Sequence, residues 1–241
     1  MQLWNIATLT SIEQQSSTTR RFFLETEIPM QFTAGQFIIL DLPISDKRQK
    51  RWRSYSIANA PQVEGNKILE LCIVRAANSA GGSEYLFNEV KVGTQINFKN
   101  PDGGFTLKHD LQTVDTVLIC TGTGVAPFRS MIQNIVEEKK KFKNIHLIFG
   151  ARTAADILYF DEFKNLKATD ARFSYDVCLS REKTDFAKQG YVHSIIDAEY
   201  KTFRPDVSFY LCGWQNMIDD AVEKLMSFGY QRHQIHYELY G

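Results

Sequence analysis

The hydrophobic pattern changes near residue 110, and this change constrains the fold more than any other feature of the sequence. Short apolar or alternating runs separated by turn residues precede it, for example at residues 37–40, 68–74 and 95–98. Apolar runs that alternate with helical patterns follow it, at residues 116–120, 145–149, 173–179 and 207–212. Short strands with frequent turns are typical of an antiparallel barrel, and strand–helix alternation is typical of a parallel sheet covered on both faces. We therefore predict a two-domain β plus α/β protein, with a barrel in residues 1–110 and a parallel-sheet domain in residues 111–241.

Composition narrows the possible classes of function. The 241 residues are 44% apolar and carry a formal net charge of +0, so no overall positive field points to nucleic acid. The N-terminus lacks the pattern of a signal peptide, and no apolar run approaches membrane-spanning length. The cysteines at positions 72, 120, 178 and 212 form no C-x-x-C pair, and the histidines form no convincing metal set. We expect a cytoplasmic protein with reduced thiols, no bound metal, and no membrane or nucleic-acid partner.

A glycine turn connects the first apolar strand of the second domain to a helix. Thr121, Gly122, Thr123 and Gly124 follow the strand, and an apolar stripe of helical period begins directly after them. The stripe consists of Val125, Phe128, Met131, Ile132, Ile135 and Val136. Pro127 suits the first turn of this helix, whose free N–H groups favour an anion, and glycine lets a ring or a phosphate approach the backbone closely. The alternative is an ordinary tight strand-to-helix turn.

The segment Arg53-Ser54-Tyr55-Ser56 combines the groups that a planar redox ring with a phosphorylated tail requires. The Arg53 guanidinium can hold a phosphate, Tyr55 offers a flat aromatic face and Ser56 offers a hydroxyl. In a strand, alternation places Arg53 and Tyr55 on one face and the two serines on the other. For so short a motif, the alternative is a solvated strand end.

Four segments, taken in order, resemble the plant-type ferredoxin–NADP reductase superfamily. Arg53-Ser54-Tyr55-Ser56 matches its flavin motif, and residues 122–130 (GTGVAPFRS) are similar to its nicotinamide-side loop. Leu211-Cys212-Gly213 with Met217 is similar to its late strand end, and Tyr237-Glu238-Leu239-Tyr240 to its glutamate and flavin-stacking aromatic residue. The resemblance implies a Greek-key barrel that binds FAD, rather than FMN, and a Rossmann-like domain that binds NAD(P).

The resemblance also implies which residues bind the two cofactors. For the flavin they include the strand Cys72-Ile73-Val74-Arg75 and the end of the small-residue segment 80–83, namely Gly81, Gly82 and Ser83. Ser83 is a natural N-cap of a short helix beside a pyrophosphate. A solvated strand end for Arg75 and a routine capped loop are the alternatives. On the nucleotide side the residues are Thr121, Gly122, Thr123, Gly124, Ala126, Pro127, Arg152, Ser180, Arg181, Tyr191, Cys212, Gly213, Met217 and Tyr240.

The mechanism that the resemblance implies is a flavin relay with four catalytic residues. Hydride passes from NAD(P)H to the flavin, where Ser56 hydrogen-bonds N5 and Cys212 helps to place the nicotinamide. Glu238 orients these groups or relays a proton. Tyr240 covers the flavin face and moves aside when the nicotinamide stacks. For Tyr240 the alternatives are packing on the barrel surface and a frayed chain end.

The residues at two predicted strand ends favour NADP(H) over NAD(H). A classical NAD site has an acidic residue after the second strand, whereas here that strand is followed by Arg152. The next strand ends at Ser180 and Arg181, and a hydroxyl beside a forked cation suits a 2′-phosphate. Tyr191 lies a few residues further on, at a spacing that differs from the family pattern. The alternative is a polar loop in which Arg181 pairs near Glu182.

A basic run next to the flavin motif favours a protein partner. Lys47, Arg48, Lys50 and Arg51 would steer a small acidic electron carrier, ferredoxin or flavodoxin, towards the flavin edge; a solvated loop is the alternative. We therefore predict an oxidoreductase that passes electrons from NADPH through bound FAD to a one-electron carrier protein. The alternatives are an NAD(P)H:flavin reductase, the reductase component of an oxygenase, and a redox-silent flavin- or nucleotide-binding regulatory module.

Overall fold

A computed structural model describes residues 4–76 and 81–240 of the chain. The chain divides into two compact units. The barrel unit comprises Met1–Leu107 and Ala126–Glu138, and the sheet unit comprises Lys108–Val125 and Lys139–Gly241. The helix that follows the glycine turn therefore groups with the barrel rather than with the sheet.

The barrel unit contains six antiparallel strands. They are β1 (Trp4–Gln14), β2 (Thr19–Met30), β3 (Phe37–Asp41), β4 (Trp52–Ser56), β5 (Asn66–Val74) and β6 (Gln95–Asp102). Their order is β4-β3-β6-β1-β2-β5. An isolated antiparallel bridge between Ile57 and Leu71 links the chain just after β4 to β5, so the two end strands of the sheet meet. The predicted antiparallel Greek-key barrel is confirmed.

Two helices belong wholly or mainly to this unit, α1 (Gly82–Asn88) and α2 (Val125–Glu137). The predicted apolar stripe of α2 is buried from Val125 to Ile135, and the Phe128 ring lies 5.8 Å from that of Phe105. Val136, the last member of the predicted stripe, is 45% exposed because the helix ends one residue later. The barrel core is built from alternate residues of the strands, for example Leu69, Leu71 and Ile73 of β5.

The sheet unit contains six parallel strands. They are β7 (Asp115–Thr121), β8 (Ile145–Ala151), β9 (Phe173–Leu179), β10 (Lys188–Gln189), β11 (Val207–Gly213) and β12 (Ile235–Leu239). Their order is β10-β9-β8-β7-β11-β12. The carboxyl ends of all six strands therefore lie at one edge, which is the edge where open α/β sheets bind ligands.

Three helices cover this sheet: α3 (Phe160–Thr169), α4 (His193–Glu199) and α5 (Gln215–Ser227). Residues of α4 and α5 share a buried cluster with Val117 and Ile119 of β7. On the opposite face, Phe163 of α3 packs against Phe173 and Tyr175 of β9. Helices on both faces explain why the strands are continuously apolar, as the sequence predicts. No helix within residues 4–76 and 81–240 is long and apolar enough to cross a membrane.

Candidate functional site

In the barrel unit, β4 brings the predicted flavin motif next to the start of α1. Arg53 is half-buried and donates from Nη1 to the carbonyl of Trp52 at 2.7 Å. A Cβ added to Gly82 would lie 2.7 Å from Cγ of Arg53, so only glycine leaves room for the arginine at this helix start. A guanidinium beside backbone N–H groups is a donor set for a pyrophosphate. The residues present therefore fit the phosphate part of a flavin dinucleotide.

Tyr55 and Ser56 complete the motif at the end of β4. The Tyr55 side chain packs against the barrel core, where burial raises the pKa of its phenol and keeps it neutral. Ser56 is 6% exposed and pairs with Phe37 of β3, whereas Ser54 is exposed. The two serines, which regular alternation would place on one face of β4, thus differ in burial.

The end of β5 is joined to α1 by side chains. Arg75 donates from Nε and Nη2 to both carboxylate oxygens of Glu84, at 2.9 and 2.8 Å. The guanidinium of Arg75 thus forms an ion pair with Glu84, whereas the alternative of a solvated strand end predicts no such partner. Cys72 and Ile73 are buried in the barrel and Val74 is half-buried.

The prediction that Ser83 caps α1 is wrong. The cap position is Gly81, which has a φ of 88° in the left-handed region that favours glycine, and the helix begins at Gly82. Ser83 lies within the first turn, and its Oγ accepts a hydrogen bond from the N–H of Ala76 at 3.1 Å. Ala80, the first residue of the predicted small-residue segment, lies outside the described residues.

In the sheet unit, the glycine turn lies directly against the end of β11. Gly122–Gly124 forms a single 3-10 turn after β7. A Cβ added to Gly124 would lie 2.2 Å from the carbonyl oxygen of Cys212, and one added to Gly213 would lie 2.3 Å from Oγ1 of Thr121. These two glycines allow the turn and the strand end to touch. Predicted site residues from positions far apart in the sequence therefore come together here.

The last residues of the chain join the same cluster. Cys212 pairs with Glu238 across the β11–β12 ladder, and the N–H of Tyr240 donates to the carbonyl of Gly213 at 3.1 Å. The Tyr240 side chain also hydrogen-bonds to Cys212. Burial, with a smaller contribution from Glu238, raises the pKa of the fully buried Cys212 thiol far above its ordinary value, so it stays protonated.

Glu238 is the polar centre of this cluster. Burial raises the pKa of its carboxyl to about 7, and its buried Oε2 has no hydrogen-bond partner among the described residues. Met217 of α5 closes the other side, since its Cε would lie 3.2 Å from a Cβ at Gly213. A buried carboxyl with one unsatisfied oxygen is suited to receive a hydrogen bond from a ligand or to exchange a proton near neutral pH.

The predicted 2′-phosphate residues lie side by side at the ends of β8 and β9. The N–H of Arg181 donates to the carbonyl of Arg152 at 2.9 Å, and that of Ser180 to Ala151 at 3.0 Å. Both arginine side chains are exposed, and neither has a carboxylate partner in the described part of the chain. Glu182, the expected alternative partner, instead accepts a hydrogen bond from the N–H of Ala154 at 2.7 Å.

Three more of the predicted site residues have the following positions. Tyr191 is 71% exposed, so one face of its ring is open to a ligand. Ala126 and Pro127 lie in the first turn of α2 and follow the glycine turn without interruption.

The predicted basic run precedes β4 as a short 3-10 turn, Arg48–Arg51. Lys47, Arg48 and Lys50 are exposed, whereas Arg51 lies 2.8 Å from Asp41 in an ion pair. Three of the four predicted cations thus present their charge to solvent.

The sequence analysis assigned no individual role to the residues that surround the chain after Ser56. Glu70 of β5 and Arg129 of α2 are 3% and 7% exposed and form a buried ion pair at 2.9 Å. Their charge within otherwise apolar segments is the only signal that could have marked them, because a charged residue is seldom fully buried without a partner.

Comparison with known proteins supports both halves of this description. The family pattern of the oxidoreductase FAD-binding domain matches residues 6–107, and that of the oxidoreductase NAD-binding domain matches residues 118–223. Ferredoxin–NADP reductase B of Sorangium cellulosum is 31% identical over 216 residues, which are 87% of this chain and 85% of that protein.

Two further proteins extend the comparison. The reductase component DmpP of phenol 2-monooxygenase from a Pseudomonas species is 30% identical over 88% of this chain, but the chain spans only 58% of its length. The structure of a ferredoxin NADP⁺ reductase from Neisseria gonorrhoeae with bound FAD and NADP superimposes with a TM-score of 0.82 at 23% identity, covering 98% of both chains. At that identity the superposition shows the shared fold. The chain belongs to the ferredoxin–NADP reductase family, and it is an oxidoreductase with a FAD-binding domain followed by a NAD-binding domain.

Proposed function

We propose that this protein passes electrons from NADPH through bound FAD to a small acidic one-electron carrier, a ferredoxin or a flavodoxin. The observation that carries the choice of NADPH is the pair of exposed arginines, Arg152 and Arg181, which lack a carboxylate partner in the described chain. Ser180 supplies a hydroxyl beside them, and Glu182 is turned towards Ala154. Two forked cations and a hydroxyl complement the dianionic 2′-phosphate that distinguishes NADPH from NADH.

The proposed flavin site lies in residues 1–110 and the proposed nucleotide site in residues 111–241. Arg53, Gly81, Gly82 and Ser83 would hold the pyrophosphate, and Tyr55 would offer its ring to the flavin. When bound, FAD accepts the hydride and releases electrons singly, which is chemistry that no side chain supplies. The chain's own part is to bind, orient and exclude water.

Ser56, Cys212, Glu238 and Tyr240 are the proposed catalytic residues. The Ser56 hydroxyl would hydrogen-bond the reactive nitrogen of the flavin. The thiol of Cys212, which stays protonated, would help to place the nicotinamide without adding a charge to the site. The carboxyl of Glu238 would hold or exchange a proton through Oε2, which has no hydrogen-bond partner among the described residues. Tyr240 would cover the flavin and yield its place to the nicotinamide.

The four cysteines are free and buried, which supports a reducing, cytoplasmic location. The exposed Lys47, Arg48 and Lys50 support an acidic carrier. The match to the DmpP reductase component supports a second candidate function, electron delivery to an oxygenase component.

Anaerobic stopped-flow absorbance of the FAD-loaded protein tests the proposal. We expect NADPH to bleach the flavin at a lower half-saturating concentration than NADH, and the reduced protein then to reduce a ferredoxin or a flavodoxin. Ser56→Ala should slow bleaching at saturating NADPH while leaving FAD bound. Loss of FAD on dialysis, with turnover of added free flavin, would instead show a flavin reductase. Bleaching by NADH at the lower concentration would refute the choice of nucleotide.

Tyr240→Ser tests the proposed stacking at the chain end. If the ring occupies the place of the nicotinamide, its removal should tighten NADP⁺ binding and produce a long-wavelength charge-transfer band with the flavin. It should also narrow the preference for NADPH, since less of the binding would come from the 2′-phosphate. Titration of the oxidised protein with NADP⁺ measures the binding and the band, and steady-state kinetics with NADPH and NADH measures the preference. Wild-type affinity together with a wild-type spectrum would show that the ring does not lie over the flavin.

A further inference from the structure

Three of the four residues after Ser56 are buried, and the four belong to no regular strand. Ile57 and Ala58 are 0% exposed and Ala60 is 4% exposed. Within residues 4–76 and 81–240, an isolated bridge from Ile57 to Leu71 is the one ladder contact of these residues. Buried backbone N–H and C=O groups need partners, so groups besides the neighbouring strand β5 have to satisfy part of this segment.

Side chains of α2 supply many of these partners. Arg129 donates from Nη1 to the carbonyl of Ala58 at 3.0 Å, and Ser130 donates from Oγ to the carbonyl of Asn59 at 2.7 Å. One turn later, Oε1 of Gln133 accepts from the N–H of Ala60 at 3.2 Å. One face of the helix thus holds three successive residues of the segment. All of these residues lie in the barrel unit.

Glu70 of β5 joins the same segment from the other side. Its N–H donates to Oδ1 of Asn59 at 2.9 Å, and its carbonyl accepts from the N–H of Ala58 at 2.8 Å. Its carboxylate accepts from Arg129 at 2.9 Å and from Nε and Nη2 of Arg21 at 2.7 and 2.9 Å. Glu70 therefore lies between two arginines, of which Arg129 is the one that also bonds to the carbonyl of Ala58.

We propose that Arg129 is a positioning residue for hydride transfer, which fixes Ser56 through the segment Ile57–Ala60. The inference rests on the proposed role of Ser56 at the flavin. Nη1 of Arg129 donates to both the Ala58 carbonyl and the Glu70 carboxylate. The side chain of a lysine is one atom shorter, so its ammonium would not reach the place of Nη1 without moving one of these two groups. A catalytic hydroxyl displaced by a fraction of an ångström loses much of its effect, because the productive geometry is narrow.

Arg129→Lys and the matched control Arg21→Lys test the proposal in the FAD-loaded protein. Both variants disturb the same buried carboxylate, so we expect both to lower Tm. Only Arg129→Lys should slow flavin bleaching at saturating NADPH, by about tenfold or more. The apparent Kd for NADPH from the same stopped-flow series should stay within about twofold of wild type, because the fault lies at Ser56 and not at the nucleotide site.

A double-mutant cycle with Ser56→Ala shows whether Arg129 acts through Ser56. In the Ser56→Ala background, Arg129→Lys should slow bleaching by less than about twofold, since the group that it positions is already absent. Equal slowing in both backgrounds would overturn the inference, as would equal slowing by Arg21→Lys or a raised Kd with an unchanged rate. If Ser56→Ala alone leaves the rate unchanged, the proposed role of Ser56 fails first, and the inference about Arg129 fails with it.

Discussion

Two ionisable side chains of the sheet unit lie in opposite environments, one in solvent and one in a buried cluster. Arg181 keeps its guanidinium in solvent without a carboxylate partner in the described chain, whereas Glu238 places its carboxyl in a buried cluster with Cys212 and Tyr240. An exposed cation without a partner is available to an anionic ligand. A buried carboxyl without a partner for one oxygen resists ionisation. Each environment predicts an effect of substitution that an ordinary surface residue would not show.

Arg181→Ala should raise KM for NADPH by about tenfold or more and leave KM for NADH nearly unchanged, because a charge-assisted contact contributes about 1.5–3 kcal/mol. The rise should shrink at high salt, since screening weakens the same ion pair in the wild type. Steady-state kinetics with both nucleotides measures this. Arg172→Ala is the control, as Arg172 is also exposed but precedes β9 at its opposite end, where it pairs with Asp170. Equal losses with both nucleotides would contradict the assignment.

Glu238 should make stability depend on pH in the sense opposite to a salt-bridged carboxylate. Its native pKa of about 7 lies above that of about 4.3 in an unfolded chain, so the native state holds the proton more tightly. The stabilisation is complete below about pH 4 and is lost as pH rises through about 7. Melting curves should show Glu238→Gln gaining Tm relative to wild type between about pH 5 and about pH 8. Glu223→Gln, on the exposed side of α5, should show no such trend.

At the scale of elements, the glycine turn and the end of β11 form one structure. Neither Gly124 nor Gly213 can carry a side chain without displacing a neighbour, since the nearest atoms are the Cys212 carbonyl and Thr121 Oγ1. The end of β7 is therefore positioned by β11 as well as by its own sequence. A change in the turn should affect the residues at the end of β11 at the same time.

Gly124→Ala should destabilise the protein by about 1–3 kcal/mol, because its Cβ would overlap a backbone carbonyl that cannot rotate away. Binding of both NADPH and NADH should weaken together, since the proposed site places the turn against the part of the nucleotide that they share. Gly104→Ala is a suitable control, as a Cβ at Gly104 meets no atom within 4 Å. Chemical denaturation and nucleotide titration measure the two effects. Unchanged stability of Gly124→Ala would show that β11 moves aside easily.

Elements that a continuous run of neighbouring residues identifies could be predicted from the sequence. Features that depend on pairing between residues far apart in the sequence could not. Residues 145–149 and 207–212 are uniformly apolar and form β8 and β11 as predicted. The long strands β1 and β2 gave no distinct signal, because irregularities in pairing after Leu9 and after Glu25 interrupt their alternation. The site motifs were visible because glycines and an RSYS segment are local. The pair Arg129–Glu70 was not, since it joins residues 59 positions apart that meet only when the barrel closes.

At the scale of the whole molecule, positive charge is concentrated at one turn although the chain carries no net positive charge. The formal net charge is +0, yet Lys47, Arg48 and Lys50 form an exposed basic turn that leads into β4 and Arg53. A local field of this kind accelerates association with an acidic protein without requiring a large contact. A change in this turn should therefore alter the rate constant for association with the carrier more than the affinity for it.

Reversing these three charges to glutamate should lower the second-order rate constant for reduction of an acidic carrier by about tenfold or more at low salt. The dependence of that rate on salt should flatten, and reduction of a neutral quinone should stay unchanged. The same reversal at Lys139, Lys140 and Lys141, a basic run that follows α2, is the matched control. If both triple variants lose the same rate, net charge and not this turn directs the carrier.

The barrel unit is discontinuous in sequence, and this bears on the order in which the chain is made. Residues 126–138 complete a unit whose other residues end at Leu107, and they bring the side chains that satisfy the backbone at 58–60. On the ribosome, the six strands emerge before the helix that seals them. The nascent barrel therefore lacks these partners for the backbone at 58–60 until residues 126–138 have left the exit tunnel. A fragment cut at residue 107, where the FAD-binding family pattern ends, would be left permanently in that unfinished state.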